Sequence, residues 1–120
     1  MPVTVLVVED DGLIRLDLAD TLSDAGYDVL EAANADQAMA ILQRRNDIKM
    51  LLTDIDMPGS MNGIQLAAVT AMRWPDCAIV VISGRYTPVK GVLPSGARFI
   101  AKPVSEKLLH SVLSQIPELS

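Results

Sequence analysis

The chain has 120 residues, which suits one domain; half are hydrophobic but only 3% aromatic, so its core must be aliphatic. A formal charge of -5 counts against a nucleic-acid surface on this domain, because phosphate backbones reward Lys and Arg. The single cysteine, Cys77, excludes an internal disulfide, and no apolar run approaches the roughly 18 residues that cross a bilayer.

Residues 3–8, VTVLVV, are mostly β-branched and predict a short apolar strand, bounded by Glu9-Asp10-Asp11. The lone Cys77 suggests a reducing, cytoplasmic setting, and the opening MPVTVLVVEDD, without a basic leader and with an apolar run that stops early at acids, is not expected to be a signal peptide. Asp11 is the expected N-cap of a helix running through Leu13, Leu16, Leu18, Ala19 and Leu22 and ending near Gly26. Residues 27–32 predict a second strand. Asn34 or Asp36 starts the next helix, with Ala38, Met39, Ile41 and Leu42 on its apolar side.

Residues 50–53 predict the third strand, which runs into Asp54-Ile55-Asp56-Met57-Pro58-Gly59. A helix over 63–73 offers Ile64, Leu66, Ala67 and Met72, and Pro75 closes it. Residues 78–82 and 97–101 predict strands four and five. Residues 105–116 predict the last helix, with Leu108, Leu109, Val112, Leu113 and Ile116 on one side. A fourth helix belongs at 85–95, RYTPVKGVLPS, but two prolines and a glycine limit it to one or two turns. The alternation predicts one α/β domain over residues 1–120, with a parallel sheet covered on both faces.

In such a sheet, ligands sit at the carboxyl ends of the strands. Strand one delivers Glu9 and Asp10 there, strand three Asp54 and then Asp56, strand four Ser83, and the fifth Lys102 before Pro103. Three acids at one edge repel one another unless a positive charge lies between them. Oxygen ligands in that number favour a hard divalent cation such as Mg²⁺. A carboxylate beside Mg²⁺ points to phosphoryl chemistry, with Asp54 as nucleophile and Lys102 and Ser83 contacting phosphoryl oxygens.

Four stretches in order, each closing a predicted strand, carry a resemblance: VLVVEDD at 5–11, LLTDIDMPG at 51–59 with Asn62-Gly63, VVISG at 80–84, and Lys102-Pro103. Together they resemble the receiver domain of bacterial two-component response regulators. The resemblance implies a doubly wound, flavodoxin-like sheet of order 2-1-3-4-5 and a phosphoacceptor at Asp54. It implies Mg²⁺ held by Asp10, Asp54 and the backbone carbonyl of Asp56, with Glu9 acting largely through water. Ser83 and Lys102 would sense the phosphoryl group, and Phe99 takes the place of the switch aromatic. The implied partner is a sensor histidine kinase or histidine phosphotransfer protein, with a homodimer possible. Any enzymatic activity would be limited to self-phosphorylation from a donor and slow autodephosphorylation.

Two departures stand out. Ser60 lengthens the loop after Met57-Pro58-Gly59 by one residue, and the stretch from Ser83 to Lys102 is short for the family. An alternative is a receiver-like interaction module that works without phosphorylation. A haloacid-dehalogenase-like phosphatase is disfavoured, because its DxD pair belongs on the first strand and is followed by Thr or Val. Plainer roles are expected elsewhere: a cap at Asp11, an inert thiol at Cys77 and a surface imidazole at His110. Phe99 has core packing as its plain role, with Tyr86 a rival switch aromatic. Arg85 either pairs with Asp56 across the pocket mouth or points into solvent.

Overall fold

A computed structural model of the chain describes residues 2–57, 59–84 and 92–119. Strands β1 (Thr4–Val8), β2 (Asp28–Ala32), β3 (Ile48–Asp54), β4 (Ala78–Ser83) and β5 (Arg98–Ala101) form one parallel sheet in the order β2-β1-β3-β4-β5. Helices α1 (Gly12–Asp24), α2 (Ala35–Arg44) and α3 (Gly63–Arg73) join the first four strands, and α4 (Glu106–Ser114) follows β5.

The strands read as unbroken apolar runs because both faces of the sheet are covered. Val5, Val7, Met50, Leu52, Val80 and Ile82 pack against Leu18 and Leu22 of α1 and Leu109 and Leu113 of α4. Their neighbours Leu6, Val8 and Leu51 point the other way, onto Ala38 and Leu42 of α2 and Leu66 of α3. Side-chain caps set where each helix begins. Asp11 accepts from the Leu13 and Ile14 N–H groups at 3.0 and 3.1 Å. Asn34, rather than Asp36, caps α2 through Gln37 N–H at 2.9 Å. Asn62 and Gln65 form a reciprocal capping box on α3, and Ser105 caps α4.

Several of the apolar helix residues prove to be exposed. Leu13 is 81% exposed, Met72 76%, Leu16 51% and Leu108 42%. Leu13 and Leu108 lie in first turns beside Ile14 and Leu109, which pack on the core, and Met72 in a last turn beside Ala71, so each points off the packed face of its helix. Leu16 lies off the face of α1 that buries Leu18, Ala19 and Leu22. β3 is longer than 50–53, because Ile48 is buried at one end and Asp54 stays in register with Ile82 at the other. α4 stops at Ser114, yet Ile116 is still buried. The expected short fourth helix falls partly on 85–91, outside the described residues. Residues 92–97 form bends and a turn with no helix, and Leu93 and Ala97 pack onto Ile79 and Val81.

Candidate functional site at the carboxyl edge of the sheet

The register of the central strands builds the site. Val8 of β1 lies opposite Thr53 of β3, so the next residues, Glu9 and Asp54, stand side by side at the carboxyl edge. Both are buried, whereas Asp10 is exposed at the mouth. One carboxylate oxygen from each of Glu9, Asp10 and Asp54 lies within 4.8 Å of the other two. β5 brings in Lys102, whose backbone N–H donates to Ser83 O at 2.9 Å. Its Nζ donates to Glu9 Oε1 at 2.9 Å and to Asp54 Oδ2 at 3.0 Å.

This crowding shifts two groups. Burial, then the hydrogen bond with Asp54, pushes the Glu9 carboxyl up to about 7, against the opposing pull of Lys102. Burial works against the charge on Lys102, but its bonds to Glu9 and Asp54 outweigh that and hold it above the ordinary lysine value. Glu9 Oε2 is left buried without a hydrogen-bond partner. A buried, unpartnered carboxylate oxygen beside two further carboxylates is an all-oxygen donor set, which fits a hard divalent cation.

The other expected site residues take distinct places. Ser83 ends β4, buried, one residue past the Ile82 that pairs with Asp54. The Asp56 N–H donates to Asp54 Oδ1 at 3.3 Å, and the Asp56 carboxylate stands outside the three-acid group. Phe99 is half-buried against the cluster of Ile55, Ala67, Ile79 and Val81. His110 is exposed on α4. Cys77 is buried, and burial pushes its thiol up to about 12. Arg85 and Tyr86 lie outside the described residues, so the expected pairing of Arg85 with Asp56 falls there too.

Gly63 has a role the sequence did not disclose. A Cβ on it would lie 1.9 Å from the backbone oxygen of Asp54. The first residue of α3 therefore packs directly on the backbone of the central acid, and its N–H donates to Ile55 O at 3.0 Å. The only sequence signal is a glycine where a helix starts, directly after its cap.

The sequence profile of the response regulator receiver domain matches residues 5–114, and the chain belongs to that family. It is 32% identical over 117 residues to a chemotaxis protein CheY homolog of Campylobacter jejuni, covering 92% of this chain and 89% of that one. It is 33% identical over 110 residues to a cyclic di-GMP phosphodiesterase of Thermotoga maritima. That match covers 89% of this chain but 29% of the relative. Among solved structures, the receiver domain of the hybrid histidine kinase CckA superposes with a TM-score of 0.81 at 30% identity, covering 98% of this chain and 99% of that one. Membership of the family implies phosphorylation-based signalling. No helix among the described residues is long and apolar enough to cross a membrane.

Proposed function

We propose that Asp54 accepts a phosphoryl group from the phosphohistidine of a cytoplasmic sensor histidine kinase or phosphotransfer protein. In this reading Asp10, Asp54 and the Asp56 backbone carbonyl hold Mg²⁺, with Glu9 acting through water. The observation that supports it most is the meeting of three carboxylates and Lys102 around the orphaned Glu9 oxygen. Bound Mg²⁺ would neutralise charge on the phosphoryl oxygens.

The chemistry is a displacement at phosphorus. An Asp54 carboxylate oxygen forms the new P–O bond, and the P–N bond to the donor imidazole breaks, its electron pair staying on the imidazole nitrogen. Lys102 then exchanges its contact with Asp54 for a phosphoryl oxygen, and the Ser83 hydroxyl donates to another. These exchanged contacts bias β5 and Phe99 toward a second arrangement. Water attacking the acyl phosphate returns the carboxylate. A groove of about 350 Å³ lined by Ile14, Asp17, Leu18, Lys102, Pro103 and Val104 adjoins the site. It shares Lys102 with the acids, and the largely exposed Leu13 precedes its lining residue Ile14 on α1, which supports a donor presented by a protein.

Acetyl phosphate with Mg²⁺ should add about 80 Da at one residue. Asp54→Asn should abolish the gain, since an amide forms no acyl phosphate, while Asp56→Asn should keep it. A gain that survives in Asp54→Asn moves the acceptor elsewhere. One observation favours the alternative module that works without phosphorylation: Lys102 bridges Glu9 and Asp54 directly. No mass gain in the parent protein would select that reading.

A further inference from the structure

We infer that Arg15 is a positioning residue for the acidic cluster, fixing the peptide between Glu9 and Asp10 so that the Asp10 carboxylate faces the metal-binding mouth. The inference deepens the proposed function and rests on it. The β1–β2 ladder ends at the pair Val8–Ala32. Glu9 lies one residue beyond it, so its carbonyl needs a donor from outside the sheet. Arg15 supplies one: Nη1 donates to Glu9 O at 2.8 Å. The same guanidinium meets Glu31 Oε1 of β2 through Nε at 3.3 Å. The Glu9 N–H donates to Ala32 O at 3.1 Å. Glu9 is thus tied to β2 on both sides, directly through its N–H and through Arg15 at its carbonyl.

The consequence for Asp10 follows from peptide planarity. Fixing the carbonyl of Glu9 fixes the plane that carries the nitrogen and Cα of Asp10. Asp10 is the exposed member of the cluster, and none of the hydrogen bonds described above reaches its carboxylate. Where its carboxylate can reach therefore depends on where its backbone is held. Arg15 sits one turn along α1 from its cap Asp11, to whose carbonyl its own N–H donates at 2.9 Å. The helix that the cap starts is also the platform from which the guanidinium reaches back.

Two roles for Arg15 predict opposite signs. As a fixed positive charge near the acidic cluster, it would weaken cation binding, so its removal would tighten Mg²⁺. As a positioning residue it strengthens binding, and its removal weakens it. Loss of an outer partner of a metal ligand typically costs about 10–100-fold in affinity.

The test is isothermal titration of Mg²⁺ into the full chain for the parent, Arg15→Met, Arg15→Lys and Glu31→Gln, with the Glu9 carbonyl ¹³C shift read in the absence of metal. Arg15→Met should bind Mg²⁺ about tenfold more weakly and move the Glu9 carbonyl shift. Arg15→Lys, which keeps one donor, should recover part of both. Glu31→Gln, which leaves the bond to Glu9, should stay close to the parent. If the parent binds Mg²⁺ and Arg15→Met binds it equally or more tightly, the positioning role is overturned and the proposed function stands. If the parent binds no Mg²⁺, the metal reading falls and this inference falls with it.

Discussion

Two ion pairs sit at opposite edges of the sheet. At the amino edge, just before β3, Arg45 meets Asp47 at 2.6 Å, with side chains 42% and 48% exposed. At the carboxyl edge, Lys102 meets Glu9 and Asp54 at 2.9 and 3.0 Å, and both acids are buried. The longer contacts matter more. Water screens the exposed pair, and holding two long side chains in one geometry cancels much of what remains. At the buried site, desolvation makes each charge depend on its neighbours, so removing one partner or adding a cation changes the state of the rest. The edge that is costly to assemble is the edge whose charges depend on one another.

The carboxyl edge breaks most severely through its backbone. Gly63→Ala would set a methyl group 1.9 Å from Asp54 O. It should cost more than about 3 kcal/mol, at the upper end of overpacking penalties, read as a fall in the denaturant midpoint. Titration probes the same edge more gently. The Glu9 carboxyl is raised from 4.5 to about 7 in the folded chain, so the folded state binds this proton more tightly than the unfolded one. Its contribution is complete below about pH 4.5 and is lost as pH rises through about 7. The metal-free protein should lose up to roughly 3 kcal/mol of stability across that window, and Glu9→Gln should flatten the slope.

Lys102→Met leaves Glu9 and Asp54 facing each other. It should destabilise the metal-free protein at pH 8 by about 1–3 kcal/mol, less than for a fully buried pair because Lys102 is partly solvated. Arg45→Met is the matched change at the amino edge and should leave the denaturation curve unmoved. A comparable loss at both edges would show that burial does not separate the two pairs.

The part of this contrast legible in the sequence is the part encoded locally. Apolar runs such as VTVLVV and AIVVI mark buried parallel strands, and Asp11, Asn62 and Ser105 mark helix starts through side chains that bond the next turn. The acids, Ser83 and Lys102 could be grouped because each ends a strand of one sheet. Apolar character alone does not separate a buried position from its exposed neighbour, so Leu13, Met72 and Leu108 look like the buried residues beside them in sequence although they face outward. Long-range contacts were hidden as well. The reach of Arg15 to Glu9 O, the packing of Gly63 on Asp54 and the direct bond of Lys102 to Glu9 all depend on how separate elements meet. Ser60, read only as an added loop residue, donates to Asp36 Oδ1 at 2.6 Å and ties that loop to the first turn of α2.

The most direct test of the carboxyl edge as a phosphorylation switch follows backbone amide shifts on adding Mg²⁺ and then beryllofluoride, a phosphoryl mimic. Mg²⁺ alone should move Glu9, Asp10 and Asp54. Beryllofluoride should extend the changes through Ser83 and Gly84 to Phe99 and Lys102, while Lys49 and Trp74 at the amino edge stay in place. Shifts confined to the metal ligands, or none at all, would contradict the account.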